Sequence, residues 1–141
     1  MQSQKNNSVH VAVAVIANSQ NQVLIAKRAP HQHQGDKWEF PGGKVEEGET
    51  SQEALVREVK EELGLVVESA ELMTNITHHY KNKDGSTDKK VILDVYLVEK
   101  YSGEATGKEG QPLRWVDKRD LSNYEFPEAN LGILALLMDS Y

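Results

Sequence analysis

One segment of 24 residues constrains the fold of this chain more than any other. Residues 42–65 have the sequence GGKVEEGETSQEALVREVKEELGL, with seven glutamates, at positions 46, 47, 49, 53, 58, 61 and 62. Within the segment, Thr50 and Glu53 form a T-x-x-E capping box, which predicts a helix with Thr50 as its N-cap. Gly64 is the predicted end, because glycine adopts the left-handed conformation that closes a helix. Like charges packed this closely repel one another, so the glutamates require an explanation.

The predicted helix has an apolar side and an acidic side. Its apolar residues recur at helical spacing and are expected to face the core: Leu55, Val56, Val59 and Leu63. At about 100° per residue, Glu58, Glu61 and Glu62 fall within one third of the helix circumference. Three converging carboxylates offer the oxygen ligands that Mg²⁺ prefers. A charged helix face is more often simply solvated, so this pattern alone does not decide between the two interpretations.

Composition limits the class of protein. The length of 141 residues and the apolar content of 38% indicate one domain, 1–141, with one hydrophobic core, and residues 1–8 are expected to be frayed. The absence of cysteine excludes disulfides and favours the cytoplasm. A net charge of −6 argues against binding of polymeric nucleic acid. The apolar run 9–17 is too short to span a bilayer, so no membrane is expected, and nothing in the sequence requires more than a monomer.

Strand patterns surround the predicted helix. VHVAVAVIA and VLIAKR are expected to form a hairpin across the turn NSQNQ, and WEF forms a short strand before the two glycines. Further strands are predicted in VVESAELMTNITHHY, VILDVYLVEKY and LRWVDKRDL, and an amphipathic helix follows FPEAN. Hairpins mixed with two helices predict an α+β fold in which a mixed β-sheet is sandwiched between α-helices.

The spacing of the whole segment changes the balance between the two interpretations of the glutamates. The pattern G-x5-E-x7-R-E-U-x-E-E-x-G-U, with U an aliphatic residue, is matched at every fixed position, by Gly43, Glu49, Arg57, Glu58, Val59, Glu61, Glu62, Gly64 and Leu65. Nine fixed positions in one order rarely arise by chance. This is the Nudix box, and the chain resembles a Nudix hydrolase.

The resemblance extends beyond the box. IAKRA, EFPGGK, YLVE, GKEGQP and FPEAN are similar to segments of the MutT branch, whose members hydrolyse oxidised guanine nucleotides such as 8-oxo-dGTP. The match runs from about Val9 to the last helix. It is weakest over residues 78–90, HHYKNKDGSTDKK, where a longer hairpin loop is expected.

The resemblance implies a divalent cation, Mg²⁺ with Mn²⁺ as a possible substitute, and a nucleoside triphosphate cut to a monophosphate and pyrophosphate. Its implied ligands are the carbonyl of Gly42 and the carboxylates of Glu58, Glu61, Glu62 and Glu109. Glu58 is also the implied catalytic residue that deprotonates or orients the attacking water. Supporting roles in the box are expected for Gly43, Glu49, Arg57 and Gly64.

Recognition of the nucleotide is expected elsewhere in the chain. The resemblance implies that Asn130 recognises the purine, since an amide both donates and accepts hydrogen bonds. Arg28 and the backbone of Phe40 are expected near the nucleotide, and His33 is the histidine expected to approach it. Each position also has a simpler interpretation: Asn130 as the N-cap of the last helix, Arg28 as a surface charge at a strand end, and Phe40 as part of the core.

Other functions remain open at this stage. The same motifs also fit a Nudix enzyme that acts on ordinary dGTP, a pyrimidine triphosphate or a dinucleoside polyphosphate. A Nudix-fold module that senses a nucleotide without cutting it is a second class, although such modules typically lose box glutamates that this chain keeps. An unrelated acidic α/β domain is a third.

Overall fold

A computed structural model describes residues 8–32, 35–82 and 84–140. These residues form seven strands and two α-helices, with four strands before the first helix and three between the helices. In order they are β1 (Ser8–Ile16), β2 (Gln22–Lys27), β3 (Trp38–Glu39), β4 (Gly42–Lys44), α1 (Ser51–Leu63), β5 (Val66–Lys81), β6 (Thr87–Ser102), β7 (Leu113–Asp117) and α2 (Leu131–Ser140), with 3-10 helices at Lys118–Asn123 and Glu128–Asn130. Strands and helices are mixed, as predicted for an α+β chain.

The strands form two sheets. The larger has the order β4-β1-β6-β5 and the smaller the order β3-β2-β7. β1 and β6 run parallel, with Val11 opposite Leu93, while every other described pair is antiparallel. The larger sheet is therefore mixed, as the sequence predicts.

The buried side chains form two clusters instead of the single core that the sequence predicts. Successive side chains of a strand point to opposite faces of its sheet. Val13 of β1 therefore packs in one cluster with Ile133 of α2, while its neighbour Ala14 packs in the other with Leu55 of α1. Because β1 and β6 are apolar on both faces, the larger sheet has a helix against each face.

Helix α1 begins and ends where its sequence predicts. The Thr50 hydroxyl accepts from the Glu53 N–H at 3.1 Å, and the Glu53 carboxylate accepts from the Thr50 N–H at 2.8 Å. Gly64 closes the helix with φ 75°. One prediction is wrong, because Val56 is 37% exposed. The fully buried Ala54 lies at one margin of the buried face of α1, and Val56 lies at the opposite margin.

The predicted hairpin of the first two strands is also wrong. β1 and β2 belong to different sheets and meet only at the bridge between Ala17 and Val23. The two edges of β1 are already paired, with β4 and with β6, so β2 cannot add along it. The turn keeps the side-chain chemistry of its sequence, since Asn18 Oδ1 accepts from the Gln22 N–H at 3.0 Å.

The segment expected to be a long loop is mostly strand. β5 runs to Lys81 and β6 begins at Thr87, with Tyr80 paired to Lys89. A tight turn joins them, in which the Asn82 N–H donates to the Ser86 carbonyl at 2.7 Å. The part of the chain that matches the family least well therefore forms the end of a long β-hairpin.

The N-terminal prediction covers residues that the structure only partly describes. Ser8 is the first residue of β1, so fraying is wrong for that position, and residues 1–7 lie outside the described residues. None of the helices in the described parts of the chain has the length and apolar character needed to cross a membrane.

Candidate active site

Many of the residues predicted to bind metal or substrate meet at one cavity. Its volume is about 820 Å³. Seven residues of the predicted set line it: Arg28, Phe40, Gly42, Gly43, Glu62, Glu109 and Asn130. Another five lie outside its lining: Glu49, Arg57, Glu58, Glu61 and Gly64. His33 is not among the described residues, so the structure does not test its predicted approach to the nucleotide.

The two box glycines are required by close contacts. A Cβ on Gly42 would lie 2.0 Å from the carbonyl oxygen of Ala12, because β4 pairs tightly with β1. A Cβ on Gly43 would lie 2.2 Å from Cδ of Glu58. Any side chain at position 43 would therefore displace the carboxylate that is predicted to be catalytic.

Glu62 carries the largest electrostatic perturbation in the site. Burial raises the pKa of its carboxyl to about 8, and the neighbouring charges of Glu58, Glu39 and Glu109 act in the same direction. The backbone N–H of Gly42 donates to this carboxylate and partly offsets the rise. A carboxyl group whose pKa is raised by burial and by neighbouring acids is typical of a functional site.

Glu58 lies directly behind Gly43. Burial raises the pKa of its carboxyl, while Arg57 opposes the rise and Glu61 and Glu109 add to it. The Arg57 guanidinium donates to Glu58 Oε2 at 3.2 Å. The Glu58 side chain is therefore held by Arg57 of the same helix and lies next to β4.

Arg57 braces the loop before α1. Its guanidinium grips Glu49 with two bonds, Nη2 to Oε1 at 2.7 Å and Nε to Oε2 at 3.2 Å. It also donates to the carbonyl of Lys44 at 3.1 Å. Its hydrogen bond lowers the pKa of Glu49, and the N–H of Glu46 lowers it further. This two-pronged contact is the arrangement that the supporting role predicted for Glu49 and Arg57 requires.

The carboxylates lie near one another but do not converge on a single point. Among the described residues there is no group of three or more acidic or histidine side chains placed to hold a metal ion. Glu61 is the outlier, since its side chain is 58% exposed and lies 3.3 Å from Arg57. The donors nevertheless fit a hard divalent cation, because they are carboxylate oxygens with excess negative charge.

Glu39 is a site residue that the sequence analysis missed. It lies on β3, lines the cavity and receives a 2.5 Å hydrogen bond from Nη1 of Arg28. Burial raises the pKa of its carboxyl, Arg28 opposes this and Glu109 adds to it. An acid between two aromatic residues in the short strand WEF was the available signal. Arg28 is thus partly buried and paired within the site, so its interpretation as a plain surface charge is wrong.

Two of the residues predicted to contact the nucleotide, Phe40 and Asn130, also line the cavity. Phe40 is buried and stacks on Phe126, with ring centroids 5.3 Å apart, so its side chain belongs to the core while the residue still lines the cavity. Asn130 lines the cavity and immediately precedes α2. Asn130 therefore lies both at the start of α2 and in the lining of the cavity. Its two interpretations, as the N-cap of the last helix and as the residue that recognises the purine, both stay open.

The long β5–β6 hairpin supplies four further lining residues, Tyr80, Lys89, Val91 and Leu93. The Tyr80 hydroxyl accepts from the Ala129 N–H at 3.2 Å, one residue before Asn130. His78 stacks edge-on against the Tyr80 ring at 4.6 Å and lies 3.4 Å from Glu128. The sequence does not predict these contacts, because Tyr80 and Ala129 are distant along the chain.

Comparison with known proteins gives the family. The family model described as the NUDIX domain matches residues 7–137. The chain belongs to the Nudix family. It is 38% identical over 129 residues to an 8-oxo-dGTP diphosphatase of Escherichia coli K12, which covers 92% of this chain and 95% of that protein. It is 31% identical over 126 residues to a CTP pyrophosphohydrolase of the same organism, covering 89% of each.

Solved structures agree with the family assignment. One from a study of MutT from Aliivibrio salmonicida and Vibrio cholerae superimposes with a TM-score of 0.78 at 36% identity, covering 95% of this chain and 99% of that one. The α+β Nudix fold and the resemblance to the MutT branch, both predicted from the motifs, are therefore confirmed.

Proposed function

We propose that this Nudix protein hydrolyses 8-oxo-dGTP and related 8-oxoguanine nucleotides to the monophosphate and pyrophosphate, and so keeps an oxidised base out of DNA. The observation that carries the proposal is that one cavity joins the carboxylates of Glu39, Glu62 and Glu109 to the amide of Asn130. A phosphate chain with its cation suits these carboxylates. A purine suits the amide of Asn130, which both donates and accepts hydrogen bonds.

The residues proposed to hold the cation are Glu58, Glu61, Glu62 and Glu109 with the carbonyl of Gly42. When bound, Mg²⁺ or Mn²⁺ supplies charge neutralisation for the phosphates and favours ionisation of water. These carboxylates give the site its proposed affinity for cations. Gly42 and Gly43 allow the backbone of β4 to lie close to β1 and to the Glu58 side chain.

Glu58 is the proposed general base. Burial raises the pKa of its carboxyl above the ordinary value, which makes it a better proton acceptor than a solvated glutamate. Arg57 and Gly43 fix its position beside the cavity. Its proposed task is to orient the attacking water and to take up its proton.

Asn130 is the proposed base-recognising residue. Oxidation at C8 converts N7 of guanine from an acceptor to an N–H donor and leaves O6 as an acceptor. A single amide then pairs with both, accepting from N7–H and donating to O6. Ordinary guanine presents two acceptors there, so one half of the amide contact would be unsatisfied.

Hydrolysis of a nucleotide panel tests the proposal. Pyrophosphate release is measured with Mg²⁺ for 8-oxo-dGTP, 8-oxo-GTP, dGTP, CTP and a dinucleoside polyphosphate. We expect 8-oxo-dGTP or 8-oxo-GTP to have the highest kcat/KM. A preference for CTP would support the function named for the second Escherichia coli relative, and binding without turnover would support a sensing module.

The setting of the activity is part of the proposal. Oxidised nucleotides must be removed where the nucleotide pool is used, and a chain without cysteine suits a reducing cytoplasm. We also propose that a monomer is active, since nothing in the sequence requires a partner chain.

A further inference from the structure

The loop before β7, which carries Glu109, is attached to the end of helix α1. The last carbonyl groups of a helix lack donors from the helix itself. Here the Thr106 N–H donates to the Leu63 carbonyl at 3.0 Å, and the Lys108 N–H donates to the Glu62 carbonyl at 2.9 Å. The loop thus satisfies carbonyls of the helix that carries the acidic residues.

Gln111 joins the backbones of two proposed cation ligands through one side chain. Its Nε2 donates to the Glu62 carbonyl at 3.2 Å, and its Oε1 accepts from the Glu109 N–H at 2.9 Å. Only one orientation of the amide satisfies both contacts, because the carbonyl needs a donor and the N–H needs an acceptor.

The chain packs tightly around this amide. The Gly110 N–H donates to the Gly107 carbonyl at 2.9 Å, which closes a turn with Glu109 inside it. A Cβ on Gly107 would lie 2.2 Å from the carbonyl oxygen of Gln111 and 3.2 Å from its Oε1. The turn therefore folds directly over Gln111 and leaves that side chain little freedom to move.

We propose that Gln111 is a positioning residue that fixes Glu109 relative to Glu62 and so sets the affinity of the site for its divalent cation. The proposal rests on the proposed function, since it takes these two glutamates as cation ligands. Glu109 lies on an exposed turn, where an unsupported carboxylate would lose more conformational freedom on binding a cation. The Gln111 amide removes part of that freedom in advance.

Binding of Mn²⁺ to the nucleotide-free protein tests this, measured from the EPR signal of free Mn²⁺ well below the Tm. Gln111→Met keeps the length of the side chain and removes both hydrogen bonds. Removal of a group that orients a ligand typically costs 10–100-fold in metal affinity, so we expect the Kd to rise about ten-fold. Thr106→Val is the matched control, because the hydroxyl of Thr106 bonds the same helix end at 3.4 Å without touching Glu109. Its Kd should stay within about two-fold of wild type.

A double-mutant cycle separates positioning from general loosening of the fold. Once Glu109→Gln has removed the ligand, Gln111→Met should weaken Mn²⁺ binding by less than about two-fold more, because there is no carboxylate left to position. A full ten-fold effect in that background overturns the proposal. If Gln111→Met fails to fold, Gln111→Asn keeps the amide but shortens it by one CH₂, and it should raise the Kd in the same direction.

Two other outcomes are also decisive. A wild-type protein that binds Mn²⁺ with a Kd unchanged by Gln111→Met, even if the Tm falls, overturns the positioning role and leaves the proposed function intact. A wild-type protein that binds no Mn²⁺ overturns both.

Discussion

At the scale of single residues, the proposed chemistry depends on carboxylates whose surroundings differ although their side chains are the same. Glu58 lies against Gly43 and Arg57, whereas Glu47 is exposed in the loop before α1. The first has a fixed position beside the cavity and a raised pKa. The second lacks that burial, so identical substitutions at the two positions should have different effects.

We therefore expect Glu58→Gln to keep the fold and to lower kcat by about 10²–10⁴, the usual cost of losing a general base. The change is nearly isosteric and removes only the charge and the proton-accepting oxygen. Steady-state kinetics with 8-oxo-dGTP and a melting curve check both parts. Glu47→Gln is the control and should leave kcat unchanged. Half of the wild-type kcat retained in Glu58→Gln would remove Glu58 from its catalytic role.

Asn130 determines specificity in our proposal. An unpaired buried polar group costs about 1–3 kcal/mol, which corresponds to a factor of about five to 150. Asn130→Ala should lower kcat/KM for 8-oxo-dGTP by about that factor and change dGTP much less. The ratio of the two kcat/KM values is the measurement. A lower Tm with an unchanged ratio would show that Asn130 only caps α2.

At the scale of elements, the β5–β6 hairpin supports the segment that carries Asn130. The Tyr80 hydroxyl accepts from the Ala129 N–H, and His78 lies beside Glu128. These contacts join β5 to the 3-10 turn before α2. The position of the base-recognising amide therefore depends on a strand distant from it in sequence.

Tyr80→Phe removes one of these supports and leaves the Ala129 N–H without its acceptor. A lost hydrogen bond costs about 1 kcal/mol, so KM for 8-oxo-dGTP should rise about five-fold. We expect kcat to stay nearly unchanged, because the substitution leaves the proposed cation ligands untouched. Tyr101→Phe is a suitable control, since Tyr101 packs in the other core cluster beside α1. Equal KM values for Tyr80→Phe and wild type would show that the hairpin does not support the site.

Some elements were predictable because their determinants are local. Helix α1 was predicted at both ends, since its capping box and Gly64 act within a few residues. The box glutamates were predictable from their spacing for the same reason. The branch was recognisable because its short motifs are contiguous.

Other features depend on pairing between distant segments and were not predictable. β2 leaves β1 because β4 and β6 already occupy both edges of β1. Tyr80 ends its predicted strand and Lys89 precedes the predicted start of the next, and both line the cavity because β5 and β6 pair with each other up to Lys81 and Thr87. Glu39 lies on β3 of the smaller sheet, yet its charge acts on Glu62 of α1, and no local pattern encodes that proximity.

At the scale of the whole molecule, the acidic group makes stability depend on pH. The pKa of Glu62 is raised from 4.5 to about 8 by burial and by its acidic neighbours, so the folded state binds this proton more tightly than the unfolded chain. Stabilisation from this group is fully present below pH 4.5 and is lost as the pH rises through about 8. A bound cation would reverse the effect, because it favours the ionised carboxylate.

Asp94 has the opposite dependence. Burial alone would raise the pKa of its carboxyl, but hydrogen bonds from His10, Ser51 and Asn75 outweigh burial and lower it below 3.8. Its stabilisation is therefore present above pH 3.8 and is lost as the pH falls through the lower folded value. The combined contribution of these two groups to the stability of the cation-free protein is therefore largest at acidic pH and falls towards pH 8.

We expect the Tm in EDTA to fall as the pH rises from about 5.5 to about 8.5, and millimolar Mg²⁺ to raise the Tm most at the upper end, because it binds the folded state. Glu62→Gln mimics the protonated side chain, so it should flatten the fall in EDTA and reduce the response to Mg²⁺. About 1 kcal/mol moves the Tm of a domain this size by several degrees, which calorimetry resolves. Glu68→Gln, on an exposed position of β5, should keep the wild-type slope. If Glu62→Gln and Glu68→Gln gave the same slope, the electrostatic account of the acidic site would be wrong.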